Sequence, residues 1–372
     1  MTEQDSCIRA VRAAVLVVLC LAGIASAQEQ PAGSTPAATQ SETAVSGAAD
    51  APVHPVPVVS GFGGFIPTWE GGSATLVSII SPVVLVPLGD RWLIESRAAF
   101  EGDFTRPEGG GPFGGKVEKS IDYLQLDFIA NKYVTFTAGR FLTPFGMYNE
   151  RLYPNWIRAL QTDPLTLPMA TESNDGFMAR GGFPVNSTVN MNYAVYFSTL
   201  STVNKFESDR VVGGRFGFFF TGPRLEVGMS LQHELHDQHS NVVGMHLEWQ
   251  PRPLPLDIRS EYAYSDNGKG FWLEGAYRLT QMPFWRRVMK HTQVVGRVQA
   301  FYLGKNGSAG ASDAELPDAN TSRAEFGINY FLMDGLKAVS SYGRTFSQVD
   351  GNSNIWTVGI AYRFAFPLGR SR

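Results

Sequence analysis

The sequence predicts an all-β protein, a transmembrane antiparallel β-barrel of about 16 strands, from three observations. An export signal opens the chain, apolar and polar residues alternate along successive stretches, and the turns between those stretches alternate between short and long. Strands that face lipid on one side and a lumen on the other produce this alternation. Barrels of the outer membrane also have short periplasmic turns and longer outer loops.

The composition fits a membrane barrel better than a soluble domain or a nucleic-acid-binding protein. Charged residues make up 17% of the 372 residues, below the roughly 25% of an ordinary soluble domain. The net charge of −3 lacks the basic excess that nucleic-acid binding requires. The mean hydropathy of −0.09 is also expected, because lipid-facing and lumen-facing residues cancel in the average.

The N-terminus has the three parts of a secretory signal peptide, which we predict over residues 1–27. Arg9 and Arg12 supply the positive region, an apolar run from Ala13 to Ile24 follows, and Ala25-Ser26-Ala27 is an A-x-A cleavage site. The alternative is an uncleaved membrane helix, but the run is short for crossing about 30 Å of hydrocarbon. Both cysteines lie in this signal, so no disulfide is expected in the mature chain.

Three segments are predicted after the signal. Residues 28–57 are rich in Ala, Pro, Ser, Thr and Gly and are predicted to form a disordered periplasmic linker, because they cannot bury a core. The barrel is predicted over residues 58–366, and residues 367–372 form a short C-terminal tail.

The last predicted strand shows the alternation most clearly. One of its faces carries Trp356, Val358, Ile360, Tyr362, Phe364 and Phe366. A strand of a soluble sandwich alternates as well, but an apolar face that ends in aromatic residues is typical of the girdle at a membrane interface. We therefore expect Val358 and Ile360 to face lipid, and Thr357 and Gly359 to face the lumen.

Turn lengths predict which end of the barrel each connection occupies. Short turns fall at Gly89-Asp90, Asn131-Lys132, Pro184–Thr188, Gly222-Pro223, Pro251–Pro255 and Asp334-Gly335. Longer polar connections fall at Thr105–Lys116, Thr143–Asp175, Ser198–Ser208, Asp266–Lys269, Lys305–Asn320 and Gln348–Asn354. This order predicts an even number of strands, with both ends of the barrel chain in the periplasm. The connection Gln281–Lys290 is long where a short turn is expected.

The third outer loop, Thr143–Asp175, is the longest, and we predict that it folds inward and narrows the pore. Its four prolines favour a fixed conformation. The residues predicted at the constriction are Arg140, Glu150, Arg151, Arg158 and Asp163. Arginine offers several donors to an anion, while the nearby acids limit any anion preference. The alternative is an ordinary surface loop.

Alternation also assigns charged residues to the pore wall. The residues predicted to line the pore are Glu95, Arg97, Arg215, Arg259, Glu261, Glu274, Arg278 and Arg297. They form either a track for a charged substrate or a solvated wall whose charges pair across strands. The near-even signs predict no strong field, so ion selectivity is left open.

No motif indicates catalysis or a bound metal. Neither G-x-S-x-G nor H-E-x-x-H occurs. His233, His236 and His239 have a spacing that gathers side chains on a helix but not on a strand. We therefore predict no enzyme activity, no cofactor and no metal.

Two stretches resemble the phosphate-selective porin O and P family. Val134–Met147 contains a phrase similar to the G-[RQK]-F-x-x-P-F that precedes the family's third loop, and Leu85–Glu95 resembles an early hairpin of related porins. The resemblance implies a homotrimer of barrels with about 16 strands each. It does not imply phosphate as cargo, because lysines are few and acids are interspersed among the inward arginines.

These observations predict an outer-membrane porin through which small hydrophilic solutes, anions among them, diffuse in a water-filled lumen. Its expected partners are membrane lipid, lipopolysaccharide and further copies of itself. The alternative is a closed outer-membrane barrel that acts as a membrane enzyme or a surface-interaction protein. The greater length of the third outer loop favours a pore constriction over a broad adhesive surface.

Deletion of residues 29–56 should leave barrel assembly intact, because the segment has too little apolar content to dock on the barrel. Heat-modifiable migration of the folded protein on gels would measure this. Loss of the fast-migrating folded form in the deletion variant would show that the segment is structural.

Overall fold

A computed structural model shows one closed β-barrel. The structure describes residues 56–170, 172–199, 210–235, 240–304, 316–349 and 351–368. Within these ranges sixteen antiparallel strands pair in sequence order, and β16 pairs with β1. This confirms the predicted all-β fold and strand number. The predicted signal peptide, the predicted linker up to residue 55 and the last four residues of the predicted tail lie outside the described residues.

The longest strands lie near the seam at which the barrel closes. The strands are β1 Val58–Glu70, β2 Ser73–Leu88, β3 Trp92–Arg106, β4 Gly114–Asn131, β5 Val134–Leu142, β6 Ser173–Pro184, β7 Val189–Ser198, β8 Val211–Phe220, β9 Leu225–Glu234, β10 Asn241–Trp249, β11 Leu256–Ser265, β12 Gly268–Arg278, β13 Thr292–Leu303, β14 Thr321–Met333, β15 Leu336–Ser347 and β16 Asn352–Pro367. Among the described residues, two four-residue helices interrupt the connections, α1 at Tyr148–Arg151 and α2 at Arg286–Met289. In the described ranges no helix has the length and apolar character needed to span a membrane.

The two faces of each strand differ as the alternation predicts. In β16, Val358 is 44% exposed and Ile360 45%, whereas Thr357 between them is 1% exposed. In β14, Phe326 is 55% exposed and its neighbour Glu325 only 6%. Apolar side chains therefore cover the outward face and polar ones the inward face. The predicted register of β16 is confirmed.

The seam between β1 and β16 depends on two glycines that lie beneath aromatic rings. Gly61 pairs with Phe364 and Gly63 pairs with Tyr362. A Cβ atom on Gly63 would lie 2.6 Å from the ring of Tyr362, so a larger residue there would displace it. Because Gly61 and Gly63 have no side chains, the rings of Phe364 and Tyr362 on the last strand can lie over the first strand.

Connections at the two ends of the barrel differ in length, as predicted. We call the end with the two barrel termini the turn end and the opposite end, with the connection 143–172, the loop end. Two connections differ from expectation. Asp266–Lys269 was predicted to be a longer loop, but pairing of β11 and β12 continues to Ser265 and Gly268 and leaves a two-residue turn. The segment 279–291 at the turn end is long, as its sequence indicated, and holds α2.

Replacing an outward residue of β7 with arginine should destabilise the barrel far more than replacing an inward one. Val195 is 56% exposed on the outward face, and Val195→Arg should cost about 2–4 kcal/mol where it meets hydrocarbon. Asn192 lies on the inward face beside Glu226, so Asn192→Arg should cost much less. Urea unfolding in lipid vesicles measures both. The reverse order would mean that the register is wrong by one residue.

Candidate functional site

The inward face of the barrel is polar and charged. The strand register places all eight predicted pore-lining residues on it, namely Glu95, Arg97, Arg215, Arg259, Glu261, Glu274, Arg278 and Arg297. Several of them are almost inaccessible: Arg97 and Glu274 are each 4% exposed and Arg297 is 2% exposed. Charges buried to this degree need partners, because an unpaired ion in such a place loses its hydration.

Several inward arginines pair with acids on the same strand or on a strand one or two places away in the barrel. Arg97 Nε lies 2.9 Å from a carboxylate oxygen of Asp122 on β4, and Arg297 Nη2 lies 2.8 Å from Glu325 on β14. Similar pairs are Arg180–Asp127, Arg259–Asp257 and Arg259–Glu248. For these arginines the distances favour a wall of mutually paired charges over an open substrate track.

The connection between β5 and β6, residues 143–172, is closed at its base by one of its own side chains; we call it the β5–β6 loop. Asn149 closes its base by donating from Nδ2 to the carbonyl oxygens of Thr143, at 2.9 Å, and Glu172, at 2.7 Å. Met147 is completely buried and Leu160 is 2% exposed. A loop with this burial has a packed conformation of its own.

Gly146 marks the first point at which the loop meets the wall. Its amide donates to Ser230 Oγ on β9 at 2.9 Å, and its carbonyl accepts from Arg215 on β8 at 3.0 Å. Its φ of 59° lies in the left-handed region, and a Cβ atom would overlap the carboxylate of Glu261. Glycine is therefore required here for both conformation and space.

Glu261 on β11 receives the next turn of the loop. Its carboxylate accepts hydrogen bonds from the amide of Met147 and, at 3.1 Å, from the amide of Tyr148. It also accepts from Trp272 Nε1 at 2.9 Å. A residue predicted as pore lining thus serves as an acceptor for otherwise unpaired backbone donors at the start of α1.

Arg151 and Glu150, both predicted at the constriction, are held by charges of the wall. Arg151 lies 2.5 Å from Glu226 on β9 and 3.2 Å from Glu248 on β10. Glu150 lies 2.6 Å from Arg215. Burial lowers the pKa of Arg151 and the hydrogen bond with Glu226 raises it, with a net rise, so the guanidinium stays charged.

Beyond Arg151 the loop reaches strands on both sides of the seam, β3 on one side and β14 on the other. The guanidinium of Arg97 on β3 lies 3.9 Å from the ring centroid of Tyr153. The ring of Trp156 meets Phe331 on β14 edge to face, with centroids 6.2 Å apart. Ile157, which follows Trp156 in the chain, is 47% exposed.

Arg158 and Asp163 pair with each other as the chain returns. Arg158 Nη1 lies 2.7 Å from Asp163, which also accepts from the Tyr148 hydroxyl at 3.0 Å. Burial raises the pKa of Tyr148 well above its ordinary value, so this hydroxyl remains a donor.

The returning half of the loop is bound to the wall by its backbone. Lys337 Nζ donates to the Arg158 carbonyl at 2.5 Å. Further wall contacts are Asn329 Nδ2 to Ala159 O at 2.8 Å, Arg297 Nη2 to Thr162 O at 2.7 Å and Leu165 N to Gln299 Oε1 at 2.9 Å.

Arg140 does not join the other residues predicted at the constriction. It pairs with Leu124 and Asp175 in the ladder, and thus lies on the face that carries Phe136 and Phe177, which are 50% and 62% exposed. Arg140 Nη1 lies 3.7 Å from Asp175. This corrects the prediction: strand parity turns Arg140 outward although its neighbours along the chain lead into the loop.

The histidine segment gives no sign of a metal centre in the described ranges. His233 Nδ1 lies 2.9 Å from Asn241 Oδ1. His236 and His239 lie outside the described residues. Among the residues that the structure describes, no group of three or more potential ligands is close enough to hold a metal ion.

Sequence reasoning missed the polar residues that hold the returning half of the loop. Gln299, Asn329 and Lys337 bind its backbone, and Trp156 packs against the wall. Their inward orientation was readable from strand parity. Their partners were not, since each contact joins residues more than 130 positions apart.

Comparisons with known proteins identify the fold. Neither the known protein families nor the curated proteins contain a match to the sequence. OprB of Pseudomonas putida is 8% identical with a TM-score of 0.55, and the match covers 83% of this chain and 92% of that one. The anion-selective porin from Comamonas acidovorans is 11% identical with a TM-score of 0.52, covering 82% and 99%. The outer membrane channel DcaP of Acinetobacter baumannii is 11% identical with a TM-score of 0.53, covering 82% and 97%. The chain therefore has the fold of outer-membrane porins.

Arg297→Met should destabilise the barrel by about 3–5 kcal/mol, because it leaves Glu325 and Glu274 without their buried cation. The double variant Arg297→Met with Glu325→Met should recover part of that loss. Arg323→Met should cost less than Arg297→Met, since the Arg323 side chain donates to Thr345 of β15 and forms no ion pair with Glu325 within 4.0 Å. Urea unfolding measures all three. A single variant as stable as the wild type would contradict the assigned pairing.

Proposed function

We propose that the protein is an outer-membrane porin through which small hydrophilic solutes diffuse. The observation that carries this proposal is a closed sixteen-strand barrel of described residues whose inward face is charged and whose longest loop is bound to that face. Its outward face is apolar, as lipid requires. The fold shared with outer-membrane porins supports the same location and the same passive mechanism. Catalysis is not part of the proposal.

The β5–β6 loop crosses the lumen and sets its narrowest section in this proposal. It binds β8 to β11 in its first half, meets β1, β3 and β14 in the middle, and binds β13 to β15 as it returns. Arg180 on β6, with 36% of its side chain exposed, and Asp163 of the loop, with 56% exposed, are paired charges that remain open to solvent.

Weak selectivity follows from the paired charges. Arg151 and Arg158 contribute positive potential, which Glu226, Glu248 and Asp163 offset. Anions are thus among the permeant solutes without being strongly preferred. The anion selectivity named for one porin of this fold is consistent with that assignment. The homotrimer and the lipopolysaccharide contacts stay predictions.

Planar-bilayer recordings test the proposal. Folded protein should produce discrete steps of conductance in potassium chloride, because a water-filled lumen conducts ions. Protein that is folded by heat-modifiability and inserted in the bilayer, yet gives no conductance, would contradict the porin function and favour a closed barrel.

Replacing Arg151 and Arg158 together with Ala should shift the reversal potential in a salt gradient toward cations, because Glu226, Glu248 and Asp163 lose their counter-charges. The shift should shrink at 1 M salt, where screening acts over about 3 Å. Arg344→Ala is a control on the outward face. An unchanged reversal potential, with the loop open to protease on intact cells, would place the loop outside the pore.

A further inference from the structure

Arg278 differs from the other arginines predicted to line the pore. Arg97, Arg215, Arg259 and Arg297 each lie within 4.0 Å of a carboxylate. Arg278 forms no such pair with any residue that the structure describes. It is the last residue of β12 and half-buried, at the turn end of the barrel. Its charge is therefore available to an anion that enters from that end.

The guanidinium of Arg278 is stacked on an aromatic ring. Its Cζ atom lies 3.9 Å from the ring centroid of Phe331. The Phe331 ring lies against the guanidinium, whose N–H donors point outward in its own plane. This geometry holds the group in place and leaves its donor edge free for an in-plane acceptor. A carboxylate, with two oxygens, is the acceptor that matches such an edge.

Further aromatic and cationic groups lie next to Phe331, where it meets the β5–β6 loop. Trp156 packs edge to face against Phe331, and Ile157 beside it is 47% exposed. Lys337 Nζ lies 5.7 Å and Arg363 Cζ 5.6 Å from the ring centroid of Trp156. We name Trp156, Ile157, Arg278, Phe331, Lys337 and Arg363 the turn-end cluster.

The turn-end cluster carries an excess of positive charge among its described neighbours. Arg363 is paired with Asp334 at 2.6 Å, but that carboxylate is 90% exposed and well hydrated. Lys337 is 2% exposed and donates to the Arg158 carbonyl, so it is not open to a solute. Arg278 therefore adds a positive charge that no acid within the described ranges cancels, in a place with apolar walls.

We propose that the turn-end cluster is a binding site for small carboxylates with an apolar body, of which benzoate is the simplest aromatic probe. The carboxylate pairs with the donor edge of Arg278, and the apolar body lies against Phe331, Trp156 and Ile157. An inorganic anion has no apolar body to use these side chains, and a neutral sugar does not use the positive charge. The site deepens the proposed function by naming a solute class. It rests on that function because the solute must enter the lumen to reach the site.

Calorimetric titration of sodium benzoate into the folded, detergent-solubilised protein tests the site directly. Benzoate should bind more tightly than acetate, because acetate lacks the ring. Arg278→Gln should weaken benzoate binding about tenfold, as expected for loss of a charge-assisted hydrogen bond. Phe331→Leu should weaken benzoate more than acetate. Arg278→Lys keeps the charge without the planar fork and should fall between the wild type and Arg278→Gln.

The matched control is a similar pair on the other face of the barrel. Arg344 lies 5.4 Å from the ring centroid of Phe346 on the outward face of β15, so Arg344→Gln should leave benzoate binding unchanged. Equal affinities for benzoate and acetate, or wild-type affinity in folded Arg278→Gln, would overturn the site. Conductance without benzoate binding would also overturn the site and leave the porin function standing. Benzoate binding that is lost in Arg278→Gln, in a protein that gives no conductance, would retain the site and refute the porin function.

Discussion

The closed hydrogen-bonded ladder is the constraint on which the rest of this structure depends. In hydrocarbon each backbone N–H and C=O needs a partner within the protein, and a sheet satisfies this only when its first and last strands pair. Here β16 pairs with β1 from Pro367 and Val58 onward, and Gly61 and Gly63 accommodate the rings of the last strand. Closure then divides every strand into an outward apolar face and an inward polar one.

An inward polar face has consequences for the loop that it surrounds. The β5–β6 loop carries backbone donors and acceptors that a short helix cannot pair internally. Wall side chains supply the missing partners, and the clearest examples are Glu261, which accepts two amides, and Lys337, which donates to a carbonyl. The wall therefore holds the loop by polar residues of its inward face. In the proposed porin, a loop fixed at so many points suits a constant aperture better than a moving gate.

Charge pairing limits the field inside the lumen. Most inward arginines face a carboxylate at hydrogen-bond distance, so they stabilise the wall and the loop instead of attracting solutes from afar. Arg278 departs from this pattern because its neighbours are aromatic. Selectivity in such a pore would depend on a few local groups at the turn end, while the rest of the wall stays close to neutral.

The sequence by itself determined the features that depend on neighbours along the chain. Residue alternation predicted the faces of β16, with Val358 outward and Thr357 inward, and turn lengths predicted the strand number. Tertiary structure decided which side chains meet. Lys337 contacts a carbonyl 179 positions away, and Arg140 turns outward because its ladder partners are Leu124 and Asp175. Local patterns record the orientation of a side chain, but its partner is set by how sixteen strands close into a ring, and no short stretch of sequence contains that information.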